Sequence, residues 1–199
     1  KVLQNRFYQL RLPELKVGDI INASVTHLEN FGVFCDIGCG INALLPIDNI
    51  SVSRIPHPDV RFEVGDDIKV IIKSFDENGR ATLTHKELLG TWEENAEKFH
   101  IGETVSGIIR SVESYGIFVE LTPNLAGLAE YTPGVFDGQQ TSVYIKSIIP
   151  EKMKIKLIIV DSFDADYPKK KPQYFIKEGH LDYFRYSPYL SEKNIETFF

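Results

Sequence analysis

A chain of 199 residues has room for two small domains and some connecting segments, each domain with a modest core of its own. Hydrophobic residues at 43% and aromatics at 12% are ordinary for a globular protein, so neither half needs to be disordered, and no apolar run approaches the roughly 20 residues that span a bilayer. The net charge of −6 argues against a protein that holds nucleic acid by bulk electrostatics, because phosphate neutralisation dominates non-specific affinity.

Residues 1–13, with Phe7, Tyr8, Leu10 and Leu12 among basic residues, read as an extended lead-in whose aromatics pack on the module that follows. The start, Lys1-Val2-Leu3-Gln4, carries no secretory signal, so the sequence reads as a cytoplasmic protein met as a fragment or trimmed form. A first strand is expected from Asp19 to Leu28, a second from Val33 to Ile37 after the turn Asn30-Phe31-Gly32, and a third from Ile41 to Pro46. An irregular loop with two prolines spans Ser51 to Pro58. A fourth strand from Asp67 to Phe75 and a fifth from Ala81 to His85 flank Asp76-Glu77-Asn78-Gly79-Arg80, where Asn-Gly is a strong turn signal. Five short strands in this order suit the partly open Greek-key barrel of the OB-fold.

Thr91-Trp92-Glu93-Glu94 has the Ser/Thr-x-x-Glu form of a capping box and predicts a short helix to about Lys98. The strand pattern then returns near 103–113, 116–121, 127–131, 139–149 and 153–160. Beyond Asp161, Gln173 to Lys177 and His180 to Tyr186 alternate around Lys177-Glu178-Gly179 and predict a hairpin. Its aromatics either cover an open edge of the second barrel or stack on a ligand. The expected fold is all-β: two tandem five-stranded OB-fold barrels joined by a short helix, with a C-terminal β-hairpin-like extension. The expected divisions are a lead-in at 1–13, a first barrel at 14–88, a helical linker at 89–98, a second barrel at 99–161 and the aromatic-rich extension at 162–199.

The two halves are copies. Glu29-Asn30-Phe31-Gly32-Val33-Phe34 returns as Glu113-Ser114-Tyr115-Gly116-Ile117-Phe118, and Gly18-Asp19, Val25 and Ala43-Leu44 find counterparts at one constant offset of 84 residues. The register breaks once, because the first copy carries a longer loop from Asp48 to Glu63. Two aromatics beside a backbone kink suit stacking on nucleobases, worth roughly 1–3 kcal/mol per base. Since the residues beside Phe34 and Phe118 on their strands face a core, packing remains an alternative for both.

Cys35 and Cys39 lack a second pair to complete a metal site, even with His27 and His57 in reach of the tally, and are expected to be reduced thiols. No nucleophile–base pair, supported carboxylate dyad, phosphate loop or metal cluster stands out. Hence no catalytic residue, cofactor, metal, membrane contact or small-molecule substrate is expected.

Lys16-Val17-Gly18-Asp19, Phe31-Gly32-Val33-Phe34, Ala43-Leu44-Leu45-Pro46-Ile47, Val64-Gly65-Asp66-Asp67 and the run from Asp76 to Thr84 together resemble the S-one RNA-binding domain, the repeat of bacterial ribosomal small-subunit protein one. The resemblance covers about 14–88 and 99–160. It implies single-stranded RNA as the ligand, bound across strands two and three, and names the small ribosomal subunit as a partner to test. It also implies that Phe31 and Phe34 stack bases, as do Tyr115 and Phe118, and that Asp76 and Arg80 complete the patch with His27 at its border. In the second copy Pro150 replaces the acid, Lys154 replaces the arginine and Glu130 faces where phosphate would lie, so that copy is expected to contribute less. Lys69, Lys73, Lys146 and Lys156 read as solvated strand faces. The alternative reading is a protein-interaction module that docks a ribosomal or RNA-processing partner without strong RNA binding of its own, for which the acidic balance would suit a basic surface.

Overall fold

Alternation of apolar and polar residues sets the first barrel, as seen in a computed structural model that describes residues 15–38 and 40–199. The lead-in at 1–13 and Cys39 lie outside the described residues. Strands β1 (Ile20–Glu29), β2 (Gly32–Asp36), β3 (Asn42–Pro46), β4 (Asp67–Phe75) and β5 (Ala81–Thr84) close in the order β1-β2-β3-β5-β4. Ile21, Ala23 and Val25 from β1, Val33 and Cys35 from β2, Leu45 from β3, and Val70 and Ile72 from β4 point inward and are buried. Burial pushes the Cys35 thiol up to about 12, where it stays protonated.

The second barrel repeats the design with β6 (Thr104–Glu113), β7 (Gly116–Thr122), β8 (Leu125–Ala129), β9 (Gln140–Ile149) and β10 (Lys154–Phe163). Its order around the barrel is the same as the first. The expected openness is corrected in both copies. Parallel pairing of β3 with β5 at Leu44 and Thr82, and of β8 with β10 at Lys156–Leu157, seals the gap.

Helix α1 (Trp92–Ala96) starts at the expected capping box: the Glu94 N–H donates to Thr91 Oγ1 at 3.1 Å and the Thr91 N–H donates to Glu94 Oε1 at 3.0 Å. It ends earlier than Lys98, because Lys98 and Phe99 turn to shorter-range bonds with the carbonyls of Asn95 and Ala96. Trp92 packs into the core of the second barrel.

The extension differs most from expectation. Residues 173–177 form no strand; the two-stranded sheet is β11 (Tyr183–Arg185) with β12 (Glu196–Phe198). Nor does it cover an open edge, since the barrels have none. Instead the segment crosses the first barrel and then the second. The Tyr174 hydroxyl accepts from the Lys69 N–H at 3.1 Å and donates to His85 Nε2 at 3.0 Å, while His85 Nδ1–H donates to the Ile50 carbonyl at 2.7 Å. That tautomer satisfies all three groups, and burial holds His85 down at about 4. Further on, Gly179 O and the Leu181 N–H pair with Ile20 and Gly18 beside β1. Gly18 is needed there: its φ is +96°, and a Cβ would lie 2.2 Å from the Leu181 carbonyl oxygen. Phe184 and Tyr186 finally enter the core of the second barrel.

Candidate nucleic-acid interface

The β1–β2 turn presents Phe31 at 55% exposure, and Gly32 behind it allows the turn to press on β3, since a Cβ would lie 2.4 Å from the Leu45 carbonyl oxygen. Phe31 meets Phe34 edge to face, with centroids 6.0 Å apart at 87°. His27 also stacks on Phe34, at 6.2 Å and 26°, and its Nε2 bonds Glu29 Oε1 at 2.6 Å. Phe34 faces outward and is half-buried, whereas its neighbours Val33 and Cys35 fill the core. The alternative of a core role for Phe34 is thus set aside.

Register extends this cluster into a row around the barrel. His27 lies beside Phe34, Phe34 beside Leu44, Leu44 beside Thr82, and Thr82 beside Ser74. Arg80 is exposed two residues before Thr82. Because β5 runs parallel to β3, Arg80 stands at the level of Asn42, whereas Phe31 stands at the level of Ile47, whose N–H donates to the Phe31 carbonyl. Five residues of strand separate them, about 17 Å along the barrel wall. The Asp76 carboxylate accepts from the N–H groups of Asn78 at 2.9 Å and Arg80 at 2.8 Å. It therefore shapes the turn that offers Arg80, whose side chain has no ion-pair partner among the described residues.

The second barrel repeats the aromatic pair. Tyr115 is 70% exposed and meets Phe118 edge to face at 6.2 Å and 82°. Ser111 occupies the position of His27, so the third ring is missing, and its hydroxyl donates to Glu113 at 2.8 Å. Glu130 follows β8 and is exposed at the level of Gly116. Lys154 opens β10 and is exposed.

Residues outside the expected set join the two barrels. Glu120, 4% exposed on β7, accepts from Arg61 of the first barrel through both carboxylate oxygens, and from Arg110 of β6 at 3.0 Å. Asn124, fully buried in the β7–β8 turn, accepts from the Val52 N–H at 3.1 Å and donates to the carbonyls of Lys86 and Gly90. Arg61 and Val52 belong to the loop that breaks the internal register. That insertion was the only sequence signal available; nothing local marks Glu120 or Asn124 as its partners.

Residues 14–86 match the family model described as the S1 RNA binding domain. The chain is 34% identical over 161 residues to the small ribosomal subunit protein bS1 of Staphylococcus aureus, covering 74% of this chain and 41% of that protein. It is 37% identical over 119 residues to the small ribosomal subunit protein bS1 homolog of Bacillus subtilis, covering 59% of this chain and 31% of that one. The chain thus spans less than half the length of these relatives. Among solved structures, it is similar to GSP13 of Bacillus subtilis, at 24% identity and a TM-score of 0.34 over 35% of this chain and 55% of that chain. It is also similar to a multidomain protein with nucleic acid binding domains from Streptococcus pneumoniae, at 15% identity and a TM-score of 0.35 over 76% of this chain and 54% of that one.

Proposed function

We propose that this chain, which belongs to the S1 RNA binding domain family through its first barrel, binds single-stranded RNA across the outward face of β1, β2, β3 and β5. The observation that carries the reading is the contiguous trio His27, Phe34 and Phe31, three rings turned outward with Phe31 more than half exposed. Bases stack on Phe31 and Phe34, His27 extends the platform, and Arg80, placed by Asp76, takes a phosphate at the far end of the face. Tyr115, Phe118 and Lys154 form the weaker patch of the second barrel, which lacks the histidine and carries Glu130. The role is a non-catalytic one in translation, in the cytoplasm, and we extend to this chain the small-ribosomal-subunit association that the relatives' names carry.

The test is binding of a short labelled single-stranded RNA to the parent, Phe31→Ala and Arg80→Ala, with thermal melts as the folding control. Phe31→Ala is expected to cost roughly 1–3 kcal/mol of binding without loss of fold, because an exposed turn aromatic contributes little to the core. Arg80→Ala is expected to weaken binding evenly across RNA sequences, as loss of a phosphate contact does. A folded Phe31→Ala protein that binds as tightly as the parent would sink the stacking face and bring forward docking to a protein partner.

A further inference from the structure

The second barrel carries a line of three cations, Lys146, Lys154 and Lys156, where the first has two at the corresponding positions, Lys73 and Arg80. On β10, Lys154 and Lys156 are both exposed and outward, between the inward Ile155 and Leu157. Register places Lys156 beside Leu128 and Leu128 beside Phe118, so a row runs from the aromatic pair to Lys156 in two strand steps. Across β9, the bulge between Lys156 and Leu157 leaves Lys146 as the extra residue, exposed next to Lys156. In the first barrel the position of Lys156 is held by the neutral Thr82. None of the three lysines has an ion-pair partner among the described residues, in contrast to Arg61 and Arg110, which are committed to Glu120. Glu120 is thereby paired from two sides.

We infer that Lys146, Lys154 and Lys156 form a phosphate track on the second barrel, entered from Tyr115 and Phe118, so that this barrel takes the larger share of the RNA backbone while the first takes the larger share of the stacking. The inference rests on the RNA-binding reading above and assigns the second barrel a distinct share of it. Backbone neutralisation releases counterions, whereas stacking does not, so the two shares separate in their dependence on salt.

The experiment measures the affinity of a short fluorescein-labelled oligouridylate across roughly 50–200 mM KCl, where counterion release dominates the salt response. The proteins are the parent, Phe31→Ala, the triple variant Lys146→Gln/Lys154→Gln/Lys156→Gln, and an equal-charge control Lys169→Gln/Lys170→Gln/Lys171→Gln. The triple variant should flatten the slope of log K against log salt by about 2, from three contacts at ~0.7 each on a single strand. Phe31→Ala should weaken binding at every salt concentration and keep the parental slope. A triple variant with the parental slope, beside a weakened Phe31→Ala, overturns the track and leaves the stacking face standing. A control that flattens the slope as much overturns it too, since bulk charge then suffices. A parent that binds no RNA overturns both readings.

Discussion

Replacing Glu120 with glutamine tests what holds the two barrels against each other. The substitution preserves shape and removes one charge from a site where Glu120 is 4% exposed, and the side chains of Arg61 and Arg110 are 13% and 9% exposed. Two guanidinium groups then remain buried without a counter-charge, and their Nε atoms already lack partners in the parent. Breaking a buried pair from one side costs about 3–5 kcal/mol, because the remaining charge stays desolvated. At the lower figure, a chain of this size should melt roughly 6–12 °C earlier. Thermal unfolding by circular dichroism at low and high salt gives the measurement. The loss should persist in about 1 M salt, where a Debye length of ~3 Å screens exposed pairs and leaves buried ones nearly intact. Adding Arg61→Met to Glu120→Gln should recover part of the loss, since one stranded charge is then removed. A melting point within about 2 °C of the parent, or a loss that salt abolishes, would refute the claim that this cluster is a buried interface.

Three further perturbations read the strap that the extension lays over the first barrel. His85 is neutral in the folded protein, with its value held from 6.5 down to about 4, so the unfolded chain binds the extra proton between those limits. Stability should be full above about 6.5 and fall as pH drops toward 4, by an amount on the order of 3 kcal/mol; urea midpoints that show the same pH dependence in His85→Gln would contradict this. Tyr174→Phe leaves the Lys69 N–H and His85 Nε2 without a partner and should cost about 1–3 kcal/mol in chemical denaturation, against nearly nothing if water replaces the hydroxyl. Gly18→Ala should loosen the segment 179–181 by at least about 1 kcal/mol, seen as faster amide exchange at Leu181 with little change inside the barrels.

The sequence carried the barrels because their local and global preferences agree. In β4, Ile68, Val70 and Ile72 point into the barrel with Lys69 and Lys73 more exposed and Ile71 buried as well, and the strand begins at Asp67 and ends at Phe75 as its pattern and the following Asn-Gly turn require. The aromatic pairs were legible for a different reason: repetition of Phe31/Phe34 as Tyr115/Phe118 marks them apart from their core-facing neighbours. The extension misled because alternation in 173–186 records contact with surfaces contributed by distant residues, and parity alone cannot distinguish that from strand pairing. Tyr174 alternates because one side of it meets Lys69 and His85, far away in the chain. Arg61 and Glu120 are 59 residues apart with no periodic signal linking them. Their salt bridge becomes visible only when both barrels are folded and the inserted loop has been placed.

RNA binding, as proposed, by an acidic chain poses an apparent contradiction, which the placement of its charges resolves. Many of the carboxylates act as staples for turns: Asp19 accepts from the Lys16 N–H, Asp66 from Glu63, Asp76 from Asn78 and Arg80, and Glu103 from His100. These acids stand at the ends of strands, where backbone donors need them. The free cations Arg80, Lys154 and Lys156 stand instead on the outward faces of the barrels that carry the exposed rings. Exposed charges act on a ligand over about one Debye length, ~8 Å at physiological salt, so RNA on either face responds to the nearest few residues and scarcely to the total of −6. Neutralising exposed acids away from these faces, for example Glu178→Gln, should therefore leave RNA affinity near the parental value, whereas Lys156→Gln, a change of the same size, should weaken it. A gain in affinity from Glu178→Gln as large as the loss from Lys156→Gln would mean that net charge governs binding, and the local account would fail.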